Sequence, residues 1–594
     1  MDSKAQAPER DPADASDASP SPGGAAAAPQ PDTAPGLDWK KVIALAVVLL
    51  GAYLIVSASS SLVDEDEPHY ARPAIEMLES GDWLVPRFNS ELRPDKPPMT
   101  YWLMAIAAWA FGKAEVVFRS VSALAVVLTA VLTALMGSRV YNGRVGLWAM
   151  IVVGTCGMVA YMGTAARTDP LLLLFITLSM WAFVEIIYRG PKLWLLAVIA
   201  LAMACAQLVK GPVGLVVPLL CIGGTKLLGR DAITLGRRFW WGLLVAALAG
   251  IAAFVAWGLP ANLATDGRLA EQALGTHIAY RLYAPMQYGA ASDHSGHEVL
   301  NYLGKLGYYA PMLLMGLLPW ALLFPLAVRL SVTGGAGDRR ATAIVWGWVL
   351  PTVIFMSLVA TKLPHYILPT YPALAMVIGC VVVRARRADL PDLAGWWRSG
   401  LWIFVPGMIA VVGGLAFLGI AIADGWGRAG PLVAAAAAAG WTLYVGIVHW
   451  RGQARRTTDA LPAGWLAGMV LVALLAMPTI ERHLKPSPEL AHAVNTRIGP
   501  DVPVACAGYF QMSLVHYLDR PPSQPIVHLE SADALQAWLD GDQPRALIVT
   551  GQRLEQWLDA TPQSLGRHIQ TIQTGGAMGL IERRQLHIIA LPGG

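Results

Sequence analysis

The sequence predicts an α-helical polytopic membrane protein of about thirteen transmembrane helices, followed by a small extracytoplasmic α/β domain. Three observations predict it. Apolar residues make up 55% of the 594-residue chain and charged residues only 14%, against roughly 25% charged in an ordinary globular protein. Uncharged runs such as Val42 to Ser60 and Leu401 to Ile422 reach the length of about 18–25 residues that a helix needs to cross a bilayer. The third observation is that basic residues collect in alternate connections, the pattern that orients membrane helices.

Taken in order, residues 1–36 are rich in Ala, Pro, Asp and Ser and lack aromatics. They bury too little to offset ordering entropy and are expected to form a disordered cytoplasmic tail. The basic apolar pattern begins at Lys40-Lys41 with no clear cleavage site after it, so a cleavable signal peptide is not expected. A transmembrane domain is expected over 37–480, with apolar runs near 42–60, 99–112, 116–136, 143–165, 169–188, 194–210, 212–229, 240–262, 305–328, 341–361, 366–384, 400–423, 430–450 and 460–480. The 99–112 run is short and opened by Pro97-Pro98, so it is expected to lie at the outer interface. Leaving it out puts the basic loops, from Arg139 and Arg144 to Arg451, Arg455 and Arg456, on the side of Lys40 and Lys41, as short cytoplasmic loops require.

Two large outer loops result, at about 61–115 and 264–304, and residues 481–594 follow outside. Apolar stretches at Val502 to Ala507, Pro525 to Leu529, Ala546 to Thr550 and Leu586 to Leu591 are expected strands, and Ser487 before Pro488 is an expected helix N-cap. Tryptophan pairs at Trp240-Trp241, Trp346 and Trp348, and Trp396-Trp397 have the placement of interfacial anchors. A net charge of +4 gives no field that argues for nucleic acid. Cys156, Cys205, Cys221 and Cys380 lie in apolar runs and Cys506 stands alone, so the thiols have neither zinc nor disulfide spacing. Glycine-rich turns such as Gly334-Gly335 lack a strand-to-helix setting, which disfavours a nucleotide cofactor.

Charges at span ends are the functional candidates, because inside a bilayer they are costly unless they meet water or a partner. Asp64 to Glu67 follow the first span, Asp95-Lys96-Pro97-Pro98 close the first loop, and Arg167 and Asp169-Pro170 open the 169–188 run. Lys210-Gly211 and Lys362-Leu363-Pro364-His365-Tyr366 close two others. Carboxylates, lysines and a histidine at one membrane face suit a phosphate-bearing substrate that needs a base and cationic stabilisation. Each also has a plainer role: Asp66 as part of an acidic loop, Asp169 as a helix cap, Lys210 and Lys362 as snorkelling side chains.

The runs Asp66-Glu67-Pro68-His69-Tyr70-Ala71, Met77 to Phe88, Asp95-Lys96-Pro97-Pro98 and Tyr101-Trp102 resemble the first-loop pattern of lipid A aminoarabinose transferases. These sit within the wider group of polyprenyl-phosphate-sugar enzymes that includes protein O-mannosyltransferases. Asp169-Pro170, Lys210-Gly211 and Lys362 to Pro369 continue the resemblance in the same order, which covers about 40–385. It implies the GT-C fold and inverting transfer from an undecaprenyl-phosphate sugar at the periplasmic face of the inner membrane. Its implied acceptor is lipid A or another envelope glycan, and a monomer is expected. It implies catalytic roles for Asp66 and Asp169, donor-phosphate contacts for Lys96, Lys210, Lys362 and Arg281, and supporting roles for Glu67, Tyr70 and His365. A divalent metal, zinc in the family, would fall to Asp95 and His277. Here Asp95 replaces the family's Glu, Thr276 precedes His277, and Tyr280-Arg281 stands where one Arg is expected. The alternatives are transfer of another sugar to protein or O-antigen, a noncatalytic scaffold, and a lipid-linked sugar transporter. A transporter is disfavoured because it would hold its ionisable residues near the midplane.

Overall fold

The computed structural model describes residues 36–64, 66–273, 305–388, 394–539, 543–560, 570–578 and 583–591. Ten helices among them are long and apolar enough to cross a membrane, so this is a multi-pass membrane protein. Two bent pairs, Gly143–Thr155 with Gly157–Gly163 at 65° and Leu306–Gly316 with Trp320–Val332 at 107°, raise the number to twelve if each is one span. Val213–Leu228 was an expected span, but it has only 16 residues. Among the described residues ten to twelve helices thus have the length and composition of a span, against the thirteen expected.

Three of the helices start at polar side-chain caps. Asp38 accepts from the Lys41 amide, Asn142 from Arg144 and Val145, and Asp338 from Ala341, satisfying donors that a first helical turn leaves open. At the centre runs Pro364–Arg386, whose apolar window is 94% buried, whereas Arg237–Leu263 and Ala454–Leu475 are only 17% buried. Those outer helices expose Val245, Leu248 and Leu474, as lipid contact requires. Small residues allow close approach: a Cβ on Gly347 would meet the backbone of Thr225. The two bends meet each other. Gly157 N donates to Leu318 O at 2.6 Å and Trp320 Nε1 to Thr155 Oγ1 at 2.8 Å, so groups released from one broken helix are satisfied by the other.

After the first helix, Trp39–Ser57, the chain forms the helix Pro68–Ser80, an antiparallel ribbon pairing Arg87–Phe88 with Glu91–Leu92, and the helix Met99–Phe111. Gly81, at φ 73°, ends the first of these helices in the left-handed conformation. Met99–Phe111 has 13 residues, about 20 Å of helix, and leaves Trp109 and Phe111 each 79% exposed.

Beyond Met477–Leu484 the chain builds a five-stranded sheet in the order Val527–His528, Val504–Ala507, Arg545–Thr550, Arg583–Leu591, Gln570–Met578. The first three strands are parallel and the last two pair antiparallel. Strands form at the four expected stretches; Gln570–Met578 was not expected. Ser487 is not an N-cap: it lies inside Ser487–Arg497, and its hydroxyl meets those of Tyr509 and Ser513. Trp348 and Trp397 are not interfacial anchors either. Trp348 is fully buried, and Trp397 stacks on His449 at 4.3 Å.

The sheet region is keyed to the first loop. Asn89 and Ile526 exchange two hydrogen bonds of 2.9 and 2.8 Å, Arg72 pairs with Asp519 at 2.6 Å, and the Ser513 amide donates to Asp64. Tyr517 donates to Glu115 and accepts from the Leu62 amide. Asn89 has φ 52°, so Asn89→Gly removes its amide group without straining the backbone. That substitution is expected to weaken the junction by about 1–3 kcal/mol, read as faster release of the C-terminal region in limited proteolysis.

Candidate active site

Five of the residues singled out in the sequence line one cavity of about 670 Å³: Asp95, Lys96, Asp169, Lys210 and His365. Connectivity brings them together. Asp169 opens the helix Asp169–Arg189, Lys210 closes Leu193–Lys210, and His365 sits in the 3₁₀ turn Pro364–Thr370 that leads into the central helix. Lys210 Nζ lies 2.6 Å from Asp169 Oδ1 and 4.7 Å from the Tyr366 ring centre. His365 Nε2 stands 3.7 Å from Asp169 Oδ2. Asp169 is therefore no helix cap: Thr168 holds that position, and the carboxylate is turned to Lys210 and His365. The remaining wall is mainly apolar, with Phe254, Leu259, Phe355, Met356 and Val359 on or beside neighbouring helices and Asn262 and Thr361 as polar members. A polar corner facing an apolar wall fits an amphipathic ligand whose charged part is anionic.

Asp66 and Glu67, adjacent in sequence, have opposite environments. Glu67 is fully buried and pairs with Arg119 at 2.6 Å, the two side chains being 0% and 2% exposed. Its carboxylate also accepts from the Val63 and Ala166 amides, both at 2.6 Å. Burial by itself raises the Glu67 pKa, but the Arg119 guanidinium and the two amides outweigh it and hold the group below the usual carboxylate range. Glu67 is thus a structural anchor rather than a group on the cavity wall. Asp66 is half-exposed, and its Oδ2 takes a 2.5 Å ion pair from Arg167 Nη2.

The other expected residues distribute as follows. Asp95 pairs with Arg93 at 2.8 Å, and Arg93 donates to His69 Nδ1 at 2.9 Å. Burial first, then the charge of Arg93, lower the His69 pKa to about 4, so His69 is neutral at pH 7. Lys362 donates to the carbonyls of Ser357 and Val359 at the end of Arg339–Leu358, and burial lowers its pKa; among the residues around it, Thr361 reaches the cavity wall. Tyr70 stacks on Tyr101 at 6.1 Å. His277 and Arg281 lie outside the described residues. Among the described residues no group of three His, Cys, Asp or Glu side chains fits a metal ion, and Asp95 faces a guanidinium instead.

Arg93, Arg119 and His69 received no role from the sequence. Arg119 had a signal: an arginine four residues into the apolar helix Glu115–Val140 needs a buried partner. The depressed Glu67 pKa means that its ionisation stabilises the fold fully above the unfolded-state value near 4.3 and progressively less as pH falls through the folded value. Glu67→Gln is expected to lower the unfolding temperature in detergent at pH 7, with the gap to wild type narrowing below about pH 4. Arg119→Leu, which strands the buried carboxylate, is expected to cost about 3–5 kcal/mol at pH 7; intrinsic tryptophan fluorescence reads both.

Residues 39–261 match the dolichyl-phosphate-mannose-protein mannosyltransferase family. An undecaprenyl phosphate-α-4-amino-4-deoxy-L-arabinose arabinosyl transferase 2 of Sodalis glossinidius is 30% identical over 349 residues, covering 58% of this chain and 59% of that protein. The like-named transferase of Pseudomonas aeruginosa is 29% identical over 438 residues, covering 72% and 74%. The chain spans 59%, 65% and 61% of the length of three curated relatives it matches. The crystal structure of ArnT from Cupriavidus metallidurans bound to undecaprenyl phosphate has a TM-score of 0.71 to this chain, at 18% identity, over 92% of this chain and 97% of that one. The chain therefore has the fold of that protein, as the first-loop motif led one to expect of a GT-C fold, and the resemblance to the aminoarabinose and O-mannosyl transferases is borne out.

Proposed function

We propose that this protein is an inverting glycosyltransferase that moves a sugar from an undecaprenyl-phosphate donor to an acceptor on the outer face of the bacterial inner membrane. The observation that carries this reading is the single cavity in which Asp169, Lys210, His365, Asp95 and Lys96 meet an apolar wall. The wall accommodates the first isoprene units, and the ammonium groups of Lys96 and Lys210 take the phosphate. The donor named for the curated relatives makes aminoarabinose the first sugar to test, with lipid A as acceptor.

In the reaction the acceptor oxygen bonds to the anomeric carbon while the bond to the donor phosphate oxygen breaks. The departing polyprenyl phosphate gains negative charge, which Lys96 and Lys210 stabilise. Lys210 exchanges part of its pairing with Asp169 for the phosphate, and Asp169 and His365 stay to orient the sugar. Asp66 takes the proton of a hydroxyl acceptor; an acceptor phosphate is already anionic, and Asp66 then orients it.

Transfer from labelled undecaprenyl-phosphate aminoarabinose to lipid A in reconstituted vesicles tests this reading. Asp169→Asn and Lys210→Met are each expected to lower transfer by about 10²-fold or more. The double variant, which leaves no buried charge unpaired, is expected to keep wild-type unfolding behaviour without recovering activity. Donor movement across the vesicle with no new glycosidic bond would favour transport instead.

The orientation has its own test. Cys506 is buried in the sheet and is expected to resist a thiol label, whereas Asp501 is exposed. Asp501→Cys is expected to react with a membrane-impermeant maleimide in intact spheroplasts. Labelling only after lysis would reverse the assignment of the C-terminal region and active site to the periplasm.

A further inference from the structure

We infer that Arg167 is a positioning residue for Asp66: it holds one carboxylate oxygen so that the other is presented to the acceptor. The inference rests on the proposed function, because it concerns how that carboxylate is aimed. Asp66 lies in the loop after the first helix, where nothing in a regular element fixes its side chain. Its Oδ2 is held by Arg167 Nη2 at 2.5 Å, and no other side-chain partner of Asp66 occurs among the described residues. The same Nη2 donates to the Tyr161 hydroxyl at 3.1 Å, and the guanidinium lies 5.3 Å from the Tyr161 ring centre.

Two ties fix the arginine relative to the aspartate. The Ala166 amide donates to Glu67, and the Arg167 side chain pairs with Asp66, so adjacent residues of one segment grip adjacent residues of the other. Behind them, the Arg167 amide and carbonyl both engage the Ser122 hydroxyl at 3.4 Å. Arg167 also precedes Asp169 by two residues, so the cation that aims Asp66 is built into the same turn as the carboxylate of the cavity. His365 lies within electrostatic reach of Asp66, Asp169 and Arg167 together. A planar guanidinium directs a carboxylate oxygen in a way that an ammonium does not. With a reacting group, misplacement by about 1 Å costs around 10²-fold in rate.

The test compares Arg167→Met, Arg167→Lys and Asp66→Asn with wild type in the vesicle transfer assay, with unfolding temperature measured for each. Arg167→Met is expected to fold, to lose about 10²-fold in kcat and to change the donor KM by less than about threefold. Arg167→Lys is expected to regain part of kcat, since it restores charge without the planar fork. Arg167→Met combined with Asp66→Asn is expected to be no slower than Asp66→Asn alone. If Asp66→Asn is inactive while Arg167→Met transfers at the wild-type rate, or loses only donor affinity, the inference fails and the function stands. If Asp66→Asn transfers at the wild-type rate, the catalytic assignment of Asp66 itself falls. If Arg167→Met and Arg167→Lys both unfold, Tyr161→Phe supplies the readout: a drop in kcat at constant KM supports the positioning role, and unchanged kinetics overturn it.

Discussion

The buried pair of Glu67 and Arg119 is the constraint on which the first-loop end of the molecule depends. Burying two opposite charges is costly, and the arrangement holds only if their remaining hydrogen-bonding capacity is filled. Here it is filled by backbone from several directions. Arg119 donates to the carbonyls of Ser57 and Ser60 at 2.6 Å and of Ser61 at 2.7 Å, groups at and beyond the open end of the first helix. Glu67 takes amides from Val63 and from Ala166, 99 residues further along the chain. One pair thus joins the end of the first helix, the start of the loop helix, Glu115–Val140 and the segment before Asp169. Asp66 is turned outward because its neighbour is committed inward.

The cations around the site divide by type. Arg119, Arg93 and Arg167 each face a carboxylate of the first loop at 2.5–2.8 Å; Arg119 grips both oxygens of Glu67, whereas Arg93 and Arg167 each hold one carboxylate oxygen through Nη2. The lysines on the cavity wall are of another kind. Lys210 holds Asp169 with a single flexible ammonium, and Lys96 Nζ donates to the carbonyl of Asp95. Under the proposed function a flexible ammonium can move to a phosphate more readily than the two-point Glu67–Arg119 contact can be dismantled, so lysine suits exchange where that arginine suits architecture. A Lys-to-Arg change at 210 would in this view be a change of role despite conserving charge.

How far the sequence discloses this follows from the physics behind each feature. Hydropathy runs disclose the helices because lipid leaves the chain few alternatives, and the clustering of Asp169, Lys210 and His365 follows once those spans alternate in direction. The bends are not disclosed. The break at Cys156 exists because Gly157 N reaches Leu318 O and Thr155 reaches Trp320, contacts between segments more than 150 residues apart. Lys362 looked like its neighbours in the motif, yet its amino group meets carbonyls at a helix end, which depends on how that helix terminates. The strand Gln570–Met578 has almost no apolar alternation and is recruited by its pairing with Arg583–Leu591. Trp348 and Trp397 show the converse: the sequence places an aromatic near a span end, but whether it faces lipid or core is set by the neighbouring helix.

The C-terminal sheet region completes the argument from the other side. A polar loop such as the one that carries Asp66 gains little from burial and would be mobile without outside contacts. The sheet region and the helix before it supply them next to Asp66: Tyr517 takes the Leu62 amide, Asp64 takes the Ser513 amide, and Glu481 of Met477–Leu484 holds Ser61 through both its amide and its hydroxyl. Phe88 of the first-loop ribbon packs into the same apolar cluster as Leu490, Val494 and Ile526. The loop is thus clamped between the buried Glu67–Arg119 pair below and the sheet region above, and Asp66 stands at the edge between them. Preorganisation of that carboxylate is therefore shared between two parts of the chain more than 400 residues apart, which gives the C-terminal region a role in geometry even where it touches no substrate.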